Sequence, residues 1–324
     1  MLISEPNSWH PDAHHPLKND VSARNTFANY YHRTRAAWSY YRDETVLPAA
    51  LPRGHYCSPL PDPEQGALHS TTSLTRDPRI ELPGIDLQID EQKTLLLRMA
   101  ELYPEFDWPE QSCPDRRFHF DQGWFKHADS LSLYSMLRLY RPNKVIEVGS
   151  GFSSALMLDV NERFLDRSIR FTFIEPSPER LERILRDEDR RSVQLISQPV
   201  QAVSVDTFKS LEKDDILFVD SSHVSKVGSD THYLFFEVMP TLSSGVLVHI
   251  HDIFWPFEYP ADWIREGRAW NEAYLLRAFL CFNYAFKIIF WSPLMAMLEG
   301  DVIRQRMPLY LRNTGASIWL RKTG

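Results

Sequence analysis

The sequence predicts an α/β protein built on a doubly wound, mostly parallel sheet. From about residue 143, short apolar runs of strand character alternate with segments whose apolar residues have helical spacing. The strand-like runs are apolar throughout, which indicates strands covered by helices on both faces. Gly149 and Gly151 follow the first run, and glycine there permits the tight turn that leads into the next helix.

The chain is divided by composition into an extension, a helical leader and a core. Thirteen of the 22 prolines lie before residue 115, and the first eighty residues show little periodicity. We therefore expect residues 1–81 to be an irregular extension that wraps the main domain or is partly disordered. The main domain covers residues 82–324, with the leader at 82–142 and the Rossmann-like core at 143–324.

Each element follows from a local pattern. Helices are predicted over 88–106 and 127–142 because each amphipathic stretch stops near a proline, which a helix interior does not tolerate. Ser177 and Pro178 would open a further helix as N-cap and first-turn residues. The predicted strands are 144–150, 170–176, 192–198, 215–220, 245–252, 286–292 and 316–322. The other predicted helices are 153–165, 177–187, 231–242 and 271–282.

Charge and composition exclude several classes of protein. The net charge of −7, without a block of Lys or Arg, argues against a nucleic-acid partner. The mixed-charge run 183–191 is expected to be a solvated helix face. No apolar stretch approaches the roughly 18 residues of a membrane span, and no signal-peptide core opens the chain. Three widely spaced cysteines give neither a zinc nor a disulfide pattern, so we expect a reduced, cytoplasmic protein.

The strand ends carry the residues of interest, because ligands of such sheets bind beyond the carboxyl ends of the strands. Glu175 ends the second strand, 24 residues after Gly151, and could accept hydrogen bonds from both hydroxyls of a ribose. The alternative is a structural turn with a surface glutamate. Ser154 stands where a dinucleotide fingerprint has its third small residue, and Glu147 is unusual inside an apolar strand. Glu147 could orient the glycine turn or reach through water to an amino group.

Two later strands each end in an acid with an imidazole close by. Asp220 is followed by His223, and Asp252 is preceded by His251. A fold does not require this arrangement, so it indicates an active site. The alternative is that His249 and His251 alternate along the strand as packed residues.

These motifs, in this order, resemble those of the class I S-adenosylmethionine-dependent methyltransferases. "VIEVGSGFSS" is similar to their first motif and "FIEP" to their second, while "FVDSSH" and "LVHIHD" are similar to the ends of their fourth and fifth strands. The resemblance covers residues 82–324, and the leader is similar to that of a bacterial subgroup that methylates small molecules and sugars. It implies a seven-stranded sheet in the order 3-2-1-4-5-7-6.

The resemblance also implies a set of cofactor residues. The family's glycine motif would line the methionine part of S-adenosylmethionine, its second acid would bind the ribose, and the residue after that acid would lie beside the adenine. Asp129, on the preceding helix, could close over the cofactor. Carried onto this sequence, the set is Glu147, Gly149, Ser150, Gly151, Ser153, Glu175, Pro176, Gln201 and Asp220.

Two routes of catalysis stay open at this point. In metal-dependent members of the family, acids at the positions of Asp220 and Asp252, with a third ligand beside the second, hold a divalent cation such as Mg²⁺ or Mn²⁺ that lowers the pKa of the acceptor hydroxyl. Here the third position is His251, which would favour manganese, iron or zinc over magnesium. In some macrolide-sugar methyltransferases the histidine of an Asp-x-x-His motif is the base, and Asp220–His223 matches it.

The expected activity is O-methylation of a small-molecule or saccharide hydroxyl. An aromatic loop after the fifth strand could stack against the acceptor, Arg265 and Arg268 could hold an anionic group, and the extension could close the pocket or form a homo-oligomer interface. Two alternatives remain, a nicotinamide-dependent oxidoreductase and a non-catalytic nucleotide-binding scaffold. The aromatic residues of the loop are Trp255, Phe257, Tyr259 and Trp263.

Overall fold

The computed structural model describes residues 51–324, and the part from Arg53 onward forms one compact unit. The expectations for residues 1–50 lie outside the described residues. Helix α1 (Pro63–Leu74) lies within the stretch expected to be irregular, and the Asp62 side chain caps it by accepting hydrogen bonds from two backbone N–H groups. Its periodicity is weak because only Ala67 and Ser70 are buried. The compact unit therefore begins at Arg53, whereas the predicted main domain begins at residue 82.

The sheet of the described chain has seven strands in the order β3-β2-β1-β4-β5-β7-β6, which confirms the predicted fold class and order. β1 to β5 pair in parallel, while β7 is antiparallel to both β5 and β6. The three neighbouring strands in the middle of the sheet are almost entirely buried, as expected for strands covered on both faces. They are β1, β4 and β5. The strands are β1 (Lys144–Val148), β2 (Arg170–Ile174), β3 (Gln194–Ile196), β4 (Ile216–Val219), β5 (Leu247–Ile250), β6 (Phe286–Trp291) and β7 (Ile318–Lys322).

The helices connect these strands and precede them. The long leader helices end at Leu102 and Tyr140, each two residues before the proline near which the predicted helix stops, Pro104 and Pro142. In chain order after α1 they are α2 (Ile89–Leu102), α3 (His127–Tyr140), α4 (Phe152–Phe164), α5 (Glu179–Ile184), α6 (Asp187–Ser192), α7 (Val205–Lys209), α8 (Asp230–Tyr233), α9 (Ala261–Arg265), α10 (Glu272–Leu280), α11 (Ser292–Leu298) and α12 (Gly300–Arg306). None of them is long and apolar enough to cross a membrane.

The predicted helix over 177–187 differs from the structure in two ways. Extended backbone at Leu185 divides the segment into α5 and α6. α5 begins at Glu179 with Pro178 in the N-cap position, so Ser177 is not the N-cap; its backbone N–H donates to the carboxylate of Glu175 at 2.9 Å. The helix predicted over 231–242 is likewise irregular, with a π-helical turn at Leu234–Val238 after α8.

A buried ion-pair cluster, here named the Arg117 cluster, joins the loop before α3 to α4 and α6. Its members are Arg117, Asp159, Glu162 and Asp189. The Arg117 side chain is 2% exposed, and its guanidinium lies 3.0 Å from Asp159, 2.9 Å from Glu162 and 2.8 Å from Asp189. Asp189 belongs to the run 183–191 that was expected to be a solvated helix face, so that expectation is wrong at this residue: it is buried against a buried arginine.

Candidate active site

The residues that follow the strands are held at one edge of the sheet. The hydrogen-bond ladder continues one residue beyond three strands: the N–H of Gly149 donates to Ile174, that of Asp220 to Val148 and that of His251 to Val219, at 2.9–3.0 Å. The strand-end residues therefore form a row, as the sequence analysis expects.

Gly149 is required by its surroundings. Its φ of 82° lies in the left-handed region, and a Cβ at this position would lie 1.8 Å from the carbonyl oxygen of Asp220. A side chain would push β1 and β4 apart, so this position keeps the two strand ends together.

Glu147 supports the glycine turn from below. Its buried carboxylate accepts a hydrogen bond from Ser153 Oγ at 2.5 Å and another from Ser154, whose hydroxyl in turn accepts the backbone N–H of Gly151. Burial raises the pKa of Glu147 to about 8, against the lowering effect of the two hydroxyls. This geometry fits the first of the two roles predicted for Glu147, in which its carboxylate orients the glycine turn.

A cleft of about 440 Å³ runs along the ends of β1, β2 and β4. One carboxylate oxygen of Glu175 accepts the backbone N–H of Ser150 at 3.1 Å, and the other accepts that of Ser177 at 2.9 Å. The side-chain amide of Gln201 donates to the carbonyl of Gly228 at 2.9 Å. Of the expected cofactor residues, the cleft wall contains Gly149, Glu175, Pro176, Gln201 and Asp220 but not Glu147, Ser150, Gly151 or Ser153.

Beside this cleft three side chains converge, here named the His223 site. His223 Nε2 lies 3.3 Å from an oxygen of Asp220 and 3.5 Å from an oxygen of Asp252. One ligand atom from each of the three residues lies within 4.8 Å of the others, a spacing that could hold a metal ion. Both His223 and Asp252 have left-handed backbones, with φ of 60° and 58°, which sequence patterns do not reveal.

The electrostatics of the site favour the charged forms of His223 and Asp220 but not that of Asp252. Burial alone would lower the pKa of His223, but hydrogen bonds with Asp220 and Glu272 outweigh it and hold that pKa well above 6.5. Desolvation favours the neutral form of Asp220, yet the neighbouring imidazoles, led by His251, lower its pKa to about 2. The pKa of Asp252 is raised, chiefly by burial.

His251 is not among the converging ligand atoms, although the sequence analysis places it in the metal site. Its Nε2 lies 3.7 Å from Asp252, and its ring packs beside Phe125. The left-handed turn at Asp252 brings that carboxylate towards His223 instead. His249 is a packed residue: it stacks on Phe218 at 3.8 Å and pairs with the hydroxyl of Ser317.

Asp129 does not line the cleft along the ends of β1, β2 and β4. It accepts hydrogen bonds from the backbone N–H of Ala316 and the hydroxyl of Ser317, at 3.0 and 2.5 Å, and so joins α3 to the start of β7. Asp129 therefore does not lie where it could close over a cofactor in that cleft, as it was expected to do.

Two residues of the site were missed in the sequence. Glu272, the first residue of α10, is fully buried and lies 2.8 Å from His223 Nδ1, and the Trp270 ring packs 4.4 Å from the His223 ring. An acid in the first turn of a helix is common, because it interacts favourably with the helix dipole, so Glu272 carries no distinguishing signal.

The predicted acceptor wall is wrong for most of its members. Trp255, Phe257 and Tyr259 are at most 2% exposed, and the first two pack on Trp291 in the core. The two arginines of the loop are ion-paired within it or nearby: Arg265 with Asp262 and Glu64, and Arg268 with Glu266.

A second cleft, of about 480 Å³, lies between the α1 region and the loop that leads to α10. Its wall includes Trp270, Tyr274 and the carboxylate of Glu258, which accepts the hydroxyl of Tyr274 at 2.5 Å. Trp270 therefore belongs to this cleft and also contacts His223.

Comparison with known proteins places this geometry in a family. Residues 146–253, which include the row of strand ends, match the family model of a methyltransferase domain. An uncharacterised protein of Archaeoglobus fulgidus is 33% identical over 187 residues, which is 54% of this chain and 81% of that protein.

Solved structures that align with this chain include methyltransferases. The S-adenosylhomocysteine-bound methyltransferase PaMTH1 of Podospora anserina aligns with a TM-score of 0.40 and 15% identity, over 82% of this chain and 98% of its own. The O-methyltransferase TomG of Streptomyces achromogenes, involved in tomaymycin synthesis, aligns with a TM-score of 0.37 and 15% identity, over 71% and 90%. On the matched domain and the observed sheet order, the chain belongs to the class I S-adenosylmethionine-dependent methyltransferase family.

Proposed function

We propose that this chain is an O-methyltransferase that moves the methyl group of S-adenosylmethionine to a hydroxyl of a small molecule or saccharide. The observation that carries the proposal is the convergence of Asp220, His223 and Asp252 beside the cleft that contains Glu175. Asp220 belongs to both, so the group that would position the acceptor stands next to the expected cofactor site.

The residues around the cleft fit the cofactor. Each oxygen of Glu175 accepts one backbone N–H and keeps a free lone pair, which suits the two hydroxyls of a ribose. Pro176 and Gln201 would border the adenine. Gly149 lines the cleft, where the methionine part would lie against its backbone.

The reaction is an in-line displacement in which one bond replaces another. The C–S bond of the sulfonium breaks, a C–O bond to the acceptor forms, and the sulfur leaves as the neutral thioether of S-adenosylhomocysteine. The hydroxyl proton must leave the acceptor oxygen. Without a cation, His223 Nε2, 3.3 Å from Asp220, would take it up; with a cation on His223, the proton would leave to water. Much of the rate would come from holding the two reactants in line.

A divalent cation would fit the His223 site, and we favour the cation-assisted route. Asp220, Asp252 and Glu272 place three carboxylates around one imidazole, so the site carries more negative than positive charge. Asp220, His223 and Asp252 would hold the cation, which would lower the pKa of the acceptor hydroxyl. An imidazole with two carboxylates suits manganese, iron or zinc.

We propose the second cleft as the approach for the acceptor. Trp270 gives it an aromatic wall in contact with His223, and the buried carboxylate of Glu258 can accept hydrogen bonds from hydroxyl groups. An aromatic face beside hydrogen-bond acceptors is the chemistry that binds a sugar ring, which favours a saccharide.

The test is a transfer assay with S-adenosylmethionine carrying a labelled methyl group. The purified chain is offered monosaccharides, nucleotide sugars and catechols, with and without Mn²⁺, and the products are identified by mass spectrometry. We expect label in a methyl ether and its loss in Asp252→Asn. Label on nitrogen or carbon, or undiminished transfer by Asp252→Asn, would contradict the proposal.

A further inference from the structure

The segment before and at the start of α10 holds the loop that carries His223. The backbone N–H groups of Asn271 and Glu272 both donate to the carbonyl oxygen of His223, at 3.0 and 3.2 Å. The side chain of Asn271 accepts the N–H of Ser225 at 2.6 Å and donates to its carbonyl at 3.2 Å. These four bonds hold His223 in its left-handed conformation, which a non-glycine residue adopts only when its surroundings impose it.

The side chain of Glu272 contacts the ring of the same histidine. Its carboxylate is 0% exposed and one oxygen lies 2.8 Å from His223 Nδ1. An ionised carboxylate only accepts hydrogen bonds, so the proton of this pair belongs on Nδ1. In a neutral ring the lone pair is then on Nε2, which faces Asp220 and Asp252.

We infer that Glu272 is a positioning residue that fixes the tautomer of His223, keeping the proton on Nδ1 so that Nε2 presents its lone pair to the transfer position or to a cation held there. Carboxylates that accept the far N–H of a metal-binding or catalytic histidine act in this way in other proteins, by fixing the tautomer and the orientation of the ring. The inference rests on the proposed function, because Nε2 matters only if chemistry occurs beside it.

Glu272→Gln is the decisive variant. The side-chain amide has nearly the shape of the carboxylate but can donate a hydrogen bond, so it allows Nδ1 to act as an acceptor and the proton to move to Nε2. Glu272→Asp keeps an acceptor-only carboxylate on a shorter side chain. Glu258→Gln is the matched control, because Glu258 is also a largely buried acid ahead of α10 but bonds to Tyr274 and the backbone of Tyr259.

The experiment is long-range ¹H–¹⁵N correlation spectroscopy of the full chain labelled with ¹⁵N-histidine. His223→Asn identifies the signals of His223. We expect Nδ1 to carry a proton in the wild type, in Glu258→Gln and in Glu272→Asp, whether or not Nε2 also carries one, and to lose it in Glu272→Gln. Titration with Mn²⁺, followed by electron paramagnetic resonance, should show affinity about 10- to 100-fold weaker in Glu272→Gln.

Two results would overturn the inference. One is a His223 signal whose Nδ1 stays protonated in Glu272→Gln, and the other is the same change in Glu258→Gln, which would indicate a general structural effect. Failure of the proposed function would look different. It would appear in the wild type, as absence of S-adenosylhomocysteine binding or of methyl transfer, while the ring signals would still report whether Glu272 sets the tautomer.

Discussion

The Arg117 cluster and the His223 site, taken together with Glu272, are built alike but differ in how completely their carboxylates are paired. Each places three carboxylates around one basic side chain that is almost fully buried. In the Arg117 cluster the carboxylates have further partners: Asp159 accepts the Trp108 indole N–H and the Phe118 backbone N–H, and Asp189 accepts the Arg186 backbone N–H.

The carboxylates around His223 have fewer such partners. The side chains of Asp220 and Asp252 are 34% and 19% exposed, and the second oxygen of Glu272 is buried without a hydrogen-bond partner. Arginine stays charged, whereas imidazole can lose its charge near neutral pH. Complete pairing around a permanent charge indicates a structural role, and incomplete pairing around a titratable group beside a cleft indicates a site for chemistry.

The largest effect should follow from removing the arginine. Arg117→Met leaves the two buried carboxylates of Asp159 and Asp189 without their counterion, so we expect the free energy of unfolding to fall by about 3–5 kcal/mol in denaturant titrations. Arg79→Met is the control, since Arg79 pairs with Asp77 at the exposed surface and should change little. Equal stability of both variants would show that the Arg117 cluster does not support the fold.

His223→Asn should affect chemistry more than stability. We expect methyl transfer to fall about 10²- to 10⁴-fold, the usual contribution of a positioned acid or base. The loss of stability should be smaller than in Arg117→Met, because burial already raises the pKa of Glu272 and that acid can take up a proton. Isothermal titration with S-adenosylhomocysteine should give a Kd close to that of the wild type. If the affinity for S-adenosylhomocysteine fell as much as methyl transfer does, His223 would be needed for cofactor binding as well as for chemistry.

The excess negative charge of the His223 site predicts stabilisation by a divalent cation. Mn²⁺ at about 100 times its Kd should raise the free energy of unfolding by about 2.7 kcal/mol in the wild type. Asp252→Asn should lose this effect, and Asp262→Asn, which changes an exposed acid, should keep it. An equal gain in all three proteins would show that the cation binds elsewhere.

Glu147 offers a third kind of buried carboxyl, held by hydroxyls alone. Its pKa is raised from 4.5 to about 8, so the folded protein binds a proton that the unfolded chain has released between these values. Its contribution to stability is therefore present below pH 4.5 and is lost as the pH rises through 8, with a slope of up to about 1.4 kcal/mol per pH unit. Denaturant titrations from pH 5 to 8 should show this slope in the wild type and a flatter one in Glu147→Gln. Parallel curves would contradict the raised pKa.

The sequence predicts the parts of the molecule that depend on local patterns. The strands are apolar runs, so the residues that follow them, from Gly149 and Glu175 to Asp220 and Asp252, could be assigned to one edge of the sheet. Contacts between distant segments could not be predicted: Glu272 lies 49 residues from His223, and Asp189 lies 72 from Arg117.

Backbone conformation and burial account for the other differences. The left-handed turns at His223 and Asp252 bring those two side chains together and leave His251 outside the group of ligand atoms. The aromatic loop after β5 was expected to face an acceptor, but composition does not show which face of a loop is buried, and Trp255 and Phe257 pack in the core.

Calorimetric titration of the chain with S-adenosylhomocysteine and, separately, with NAD tests most directly whether the cleft binds the methyltransferase cofactor. We expect that S-adenosylhomocysteine binds, that NAD does not, and that Glu175→Ala weakens the binding about 100-fold, since a carboxylate that bonds two hydroxyls contributes roughly 2–3 kcal/mol. Binding of NAD alone, or equal affinity of wild type and Glu175→Ala for S-adenosylhomocysteine, would contradict it.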